Sequence, residues 1–167
     1  PHPAEELWGS LPAGQGYPAS VHLATFPSPE PRWDDPDRDA RWATLLEARD
    51  AVLKSLEALR KDKTIGSAQE ASVVISAAEA DLPLLQADRD LLTTLCMVSE
   101  LDVRGATTPA PGDERFQVAA VRSPHGKCER CWNHRSTVGL NAEHPTLCER
   151  CARVVSTSAS IEKGRAR

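Results

Sequence analysis

Four cysteines carry the clearest chemistry in this sequence. They stand as Cys128-Glu129-Arg130-Cys131 and Cys148-Glu149-Arg150-Cys151, two CxxC pairs with sixteen residues between them. Each CxxC turn aims two sulfurs to one side, and two such turns supply the four thiolates that fill a tetrahedral zinc shell. With no position left for water, such a site is structural. Residues 122–155 contain few apolar side chains, so metal coordination must stand in for a core, and binding free energy becomes folding free energy. One zinc per chain, held by Cys128, Cys131, Cys148 and Cys151, is the expected cofactor. A redox pair, two disulfides and chance are the competing readings. A redox CxxC belongs beside a βαβ unit, whereas both pairs lie in a loop-rich end, and four of the five cysteines fall in this one motif. His125, His134 and His144 remain open as substitutes for one sulfur. Cys96, in an apolar stretch, reads as a small core hydrophobe.

Basic groups crowd the same module: Lys127, Arg130, Arg135, Arg150 and Arg153, with Arg122 just upstream, and Trp132 directly after the first pair. Cations neutralise phosphates and an exposed aromatic stacks on an unpaired base, so Lys127, Arg130, Trp132, Arg135, Arg150 and Arg153 are the RNA-contact candidates. The competing reading gives the arginines to the thiolate charge and makes Trp132 a cover for the metal. The wider charge pattern favours an anionic partner for this end alone. Residues 1–120 hold 11 basic and 20 acidic side chains, net −9, while residues 121–167 hold 9 and 4, net +5. Four thiolates on one zinc bring the end to about +3, still basic but not a polybasic arm.

The elements that must position these groups come next. Residues 4–8 look like the last turns of a helix, stopped by Gly9 and Pro12, and 9–38 read as an extended Pro/Gly/Ser-rich connection. From Asp39, an expected N-cap, Trp42, Leu45, Leu46, Val52, Leu53, Leu56 and Leu59 recur at helical spacing. Ala71–Ser76 is β-branched and strand-like; Asp81 and Pro83 open a second helix running to Met97; Ser99–Val103 and Phe116–Val121 are two more strands. This order predicts an α+β body with a small sheet packed by two helices, followed by the four-cysteine zinc module. The expected boundaries are 1–38, 39–121, 122–155 and a disordered basic tail over 156–167. No apolar run approaches the about 18 residues of a membrane span, and residues 1–6 lack the basic and apolar regions of a signal peptide, which points to the cytoplasm.

With these residues in view, the sequence resembles the C-terminal end of bacterial isoleucyl-tRNA synthetases over nearly its whole length. His2-Pro3-Ala4-Glu5-Glu6-Leu7-Trp8 is similar to the Thr-Ala-Glu-Glu-Ile-Trp stretch that closes the family's anticodon-binding bundle, with Pro3 in place of Thr. Ser20-Val21-His22-Leu23 is similar to its Ser-Val-His-Leu segment. Arg49 to Glu57 and Lys63-Thr64-Ile65-Gly66-Ser67 match its Arg-x-x-Val-x-Lys-Ala-Leu-Glu and Lys-x-Ile-Gly-Ser signatures. Lys127 to Trp132 and Leu147 to Cys151 match its zinc finger.

The resemblance implies a parent enzyme that joins isoleucine to its tRNA with ATP, and a role for this region in binding the anticodon end of that tRNA. Neither the HIGH nor the KMSKS motif is present here, so the chain alone is expected to be catalytically silent, ATP belonging to a domain outside it. The expected partners are isoleucine tRNA and the rest of the synthetase, with no membrane and no self-association. Two rivals stand beside this reading. A formamidopyrimidine-type DNA glycosylase shares a similar zinc finger and uses an N-terminal proline, but His2 follows Pro1 where that family has Glu. A zinc-ribbon adaptor for protein partners leaves the upstream matches unexplained. Pro1 itself reads as a boundary of the cut chain, not a nucleophile.

Overall fold

The computed structural model describes residues 2–12, 14–106 and 115–165, with side chains through 157. The chain divides into two compact units, Pro1–Pro36 and Asp37–Arg167. In the first, helix α1 (His2–Gly9) is followed by a loop that folds back on it. The Trp8 indole N–H donates to the Pro18 carbonyl at 2.8 Å, and its ring meets Tyr17 at 5.3 Å. Ser20-Val21-His22-Leu23, expected to be extended, is instead a 3-10 turn. The Ser20 hydroxyl accepts from the His22 N–H and closes it, the capping chemistry that short polar residues offer locally.

Helix α2 (Pro36–Lys61) begins at the last residue of the first unit, three residues earlier than the expected start, and otherwise belongs to the second. Pro36 occupies a first-turn position where a missing N–H costs nothing, which moves Asp39 from N-cap to the first turn. Leu45, Ala48, Val52 and Leu56 form its fully buried stripe, while Leu46 is turned out to 45% exposure. Strand β1 (Ala71–Ala77) follows, and its residues alternate between buried and half-buried. Ala71, Val73, Ile75 and Ala77 therefore face the core, as the two-residue period of a strand requires.

The expected second helix is two: α3 (Leu82–Ala87) and α4 (Arg89–Leu95). Asp88 lies between them with non-helical backbone, φ −99° and ψ 16°. Its carboxylate is clamped by the Arg41 guanidinium of α2, with Nε donating at 2.7 Å. Asp81, the expected start of this helix, is likewise drawn away from capping by Arg115, which also reaches Glu47 at 2.6 Å. Long-range arginine pairs thus decide the break that local periodicity does not register.

Strands β2 (Glu100–Gly105) and β3 (Phe116–Arg122) flank β1 in the order β2-β1-β3. β2 runs parallel to β1, with Val73 beside Leu101 and Ile75 beside Val103; β3 runs antiparallel, with Val74 beside Ala119. A parallel pair needs a crossover, and α3 with α4 supplies it. Leu85, Leu92, Cys96, Val98 and Phe116 join the α2 stripe over the buried sheet face. Burial pushes the Cys96 thiol up to about 11, consistent with a core hydrophobe and not a reactive group.

The four cysteines form a separate small cluster with Val138 and Leu147. Helix α5 (Glu149–Arg165) is the last element among the described residues. The second cysteine pair straddles its start and seeds it, the Ala152 N–H bonding to the Cys148 carbonyl at 2.9 Å. Among the described residues, no helix is long and apolar enough to cross a membrane.

Candidate metal centre and nucleic-acid interface

The two cysteine pairs converge. One sulfur from each of Cys128, Cys131, Cys148 and Cys151 lies within 4.8 Å of all the others, and Cys131 and Cys148 approach to 3.9 Å. Zinc–sulfur bonds of about 2.3 Å in a tetrahedron place sulfurs about 3.8 Å apart. The arrangement therefore fits zinc with little adjustment. Cys128, Cys148 and Cys151 are buried and Cys131 is half-buried. His125, His134 and His144 are not among the four converging donors.

The backbone holds this geometry. In the first turn the Trp132 N–H donates to the Cys128 carbonyl at 2.8 Å, and the Cys128 N–H to the Asn133 carbonyl at 2.9 Å. The Cys148 N–H is aimed at the Cys128 sulfur at 3.3 Å. Burial by itself raises the Cys128 thiol, but backbone N–H groups of Cys131, Cys148 and Arg130 outweigh it and draw the thiol down to about 6. Burial and the surrounding sulfurs push Cys131 up to about 12, and Cys148 upward too. Four thiolates in this space repel one another, and a divalent cation relieves that repulsion. The site binds one structural zinc.

The residues singled out for RNA do not form one patch. Lys127 and Trp132 stand together, the ammonium 5.8 Å from the indole centroid, beside a cavity shared with Arg122 and His134. Arg135 and Arg150 line a second cavity of about 310 Å³, with Asn133, Thr137 and two of the cysteines in its wall. Arg130 instead turns to the metal centre, its Nη1 donating to the Cys151 sulfur at 3.8 Å. That contact is the charge-offsetting role of the competing reading. Arg153 is exposed on α5.

Trp132 is 59% exposed and is not among the side chains packed on the cysteine cluster. Its backbone has φ +65°, the left-handed region that bulky side chains avoid. The turn after a CxxC pair demands this conformation here, and glycine would meet the demand without strain. Lys63 and Met97 share this left-handed backbone, so the conformation marks the turn, and Trp132 adds an exposed indole to it.

Sequence reading missed the residues that tie the metal module to the body. Ser99, fully buried after α4, donates its hydroxyl to the Gln69 carbonyl and accepts the His134 N–H at 2.6 Å. Next to it Glu100 accepts from Ser72 at 3.0 Å and meets His125 at 3.4 Å. Nothing local marks Ser99 or Glu100, because their partners lie in distant parts of the chain.

These features match known families in two places. Residues 1–75 match the anticodon-binding domain of tRNA ligases, and residues 126–154 match the zinc finger found in FPG and IleRS. Together they define an anticodon-binding and zinc-finger region of the tRNA-ligase class. Over about nine tenths of its length the chain is homologous to isoleucine-tRNA ligases. It is 38% identical to that of Geobacter sulfurreducens over 156 residues and 42% identical to that of Symbiobacterium thermophilum over 164 residues, covering 91% of this chain each time. The enzyme of Bacillus cereus is 35% identical over 159 residues. The chain spans about 17% of the length of these relatives. The zinc-finger match, shared by two families, does not discriminate between them; the anticodon-binding match and the relatives do, against both the glycosylase and the adaptor.

Proposed function

We propose that this region holds the anticodon end of isoleucine tRNA while a longer synthetase chain joins isoleucine to that tRNA with ATP. The region contributes position and no bond-making chemistry. It acts in the cytoplasm, as part of one synthetase chain without self-association. Zinc folds the module, and the module presents two kinds of group to the RNA. Trp132 stacks on an unpaired base with Lys127 beside it, and Arg135 and Arg150, with Arg153 on α5, meet phosphates. Arg130 is shared between the zinc thiolates and the RNA side of the same turn. The single observation that carries this reading is the exposed, strained Trp132 beside Lys127 in the net-positive stretch 121–167.

The test is a filter-binding titration of the zinc-loaded chain with the anticodon stem-loop of isoleucine tRNA across a salt series. Charge-removing changes at Arg135 and Arg150 each flatten the slope of log affinity against log salt by about one. Unchanged slopes return both arginines to a structural role. Arg130→Gln lowers zinc affinity as well as RNA affinity, because one guanidinium serves both.

A further inference from the structure

Resting on that reading, we infer that the cavity between Trp132 and Gln69 takes a single unstacked base of the bound RNA, and that the Gln69 amide reads an adenine edge there. The cavity measures about 250 Å³ and is lined by Gln69, Glu70, Arg122, Lys127, Trp132 and His134. It falls below the roughly 300–1,000 Å³ of sites that enclose a whole ligand, which suits one base with its ribose and phosphate outside.

Its walls differ in the way a base differs around its perimeter. The exposed indole of Trp132 offers a flat apolar face, and base–aromatic stacking accepts any base. Selection must then come from polar groups at the edge. Gln69 is half-buried, and its side-chain amide has no hydrogen-bond partner among the described residues. A carboxamide presents a donor and an acceptor side by side, the pattern that pairs with adenine.

The backbone that carries this amide is fixed from several directions. Gln69 lies in a 3-10 turn, Ala68–Glu70, closed by a capping box in which the Ser67 N–H donates to the Glu70 carboxylate at 3.2 Å. The Gln69 carbonyl accepts the buried Ser99 hydroxyl, and the Glu70 carbonyl accepts the Ser123 N–H at 2.7 Å. The turn that carries the amide is already ordered, so binding has to order only the Gln69 side chain, at about 0.5–1.5 kcal/mol.

Ser67 also lines the cavity and belongs to the capping box; Glu70 and His134 have partners of their own. Glu70 is engaged by Ser67 and lies 3.7 Å from Arg122, so it does not compete for the base. His134 Nδ1 lies 2.8 Å from the His125 carbonyl, and since a carbonyl only accepts, Nδ1 carries the hydrogen. In the neutral ring Nε2 is then an acceptor, suited to an exocyclic amino group. Lys127 and Arg122 supply positive charge for the phosphates on either side of the base. The body, acidic overall, thus takes part in recognition through one turn beside the zinc module.

The experiment uses the zinc-loaded chain, Gln69→Leu and Gln69→Ala. The probe is the isoleucine tRNA anticodon stem-loop with each loop adenine replaced in turn by purine, which lacks the amino group. For the unchanged chain, one replacement weakens binding about tenfold. For both Gln69 variants the same replacement costs less than twofold, while the other positions respond as in the unchanged chain. If the stem-loop binds and Trp132→Ala weakens it, yet no position depends on Gln69, the cavity assignment is overturned and the anticodon-end reading stands. If the zinc-loaded chain shows no saturable binding to the stem-loop, both are overturned.

Discussion

Replacing Trp132 by glycine separates what the backbone wants at that position from what the RNA wants. The left-handed conformation at φ +65° costs a side-chain-bearing residue about 1–2 kcal/mol. Glycine removes that cost but gives back about 0.5–1 kcal/mol through its freedom in the unfolded chain. At the midpoints of these ranges the net gain over alanine is about 0.75 kcal/mol. Because zinc binding and folding of this module are one process, the gain appears as zinc affinity, about two- to fivefold tighter for Trp132→Gly than for Trp132→Ala. Lost stacking acts in the other direction. At about 1–3 kcal/mol per base, either variant binds the stem-loop about five- to 150-fold more weakly. Competition with a chromophoric chelator measures the first quantity and RNA titration the second. Equal zinc affinities of the two variants would refute the strain argument. RNA affinity unchanged in both would refute the stacking role.

The remaining predictions concern the frame around the site. Chelation of zinc unfolds the module and leaves the body, whose core of leucines, valines and Phe116 is separate from the cysteine cluster. Circular dichroism after chelator addition then shows a surviving cooperative transition, and loss of that transition contradicts the separation. Ser99→Ala leaves the Gln69 carbonyl and the His134 N–H without their buried partner, at a cost of about 1–3 kcal/mol in denaturant unfolding. Asp88 is held below the ordinary carboxylate range by its hydrogen bonds from Arg41. Its folded pKa is the lower one, so its stabilisation is present above about pH 4 and is lost as pH falls through the folded value. Asp88→Asn removes that part of the acid limb, and an unaltered acid limb in a pH titration of stability rules the clamp out. Cys96, with its thiol raised to about 11, resists alkylation in the native state and reacts on unfolding. Rapid native labelling at Cys96 would show that the core opens there.

The four zinc ligands were legible in the sequence because their chemistry is set by residue type and short spacing. A CxxC turn forms from adjacent residues, and only thiolates at that density make sense of a stretch so poor in apolar side chains. The α2 stripe was legible for a similar reason, since a 3.6-residue period is a local property. The start of α2 and the break at Asp88 were not, because Pro36 and the arginine pairs outweigh periodicity at those points. The capped turn after Ser20 likewise replaced an expectation drawn from composition alone.

By itself, then, the sequence determined the metal chemistry, the long helix α2 and the three strands after it, and the basic character of the zinc module, each of which depends on neighbours along the chain. Only the tertiary structure decided how the basic residues are divided. It turned Arg130 onto the Cys151 sulfur, grouped Arg135 with Arg150, and set Trp132 across a cavity from Gln69. Those placements follow from the β2-β1-β3 pairing and from Ser99, which bonds to both the Gln69 turn and the zinc module. The physical reason is that hydrogen bonds between segments far apart in the chain form only after the sheet has brought them together, and no spacing within either segment encodes the partner.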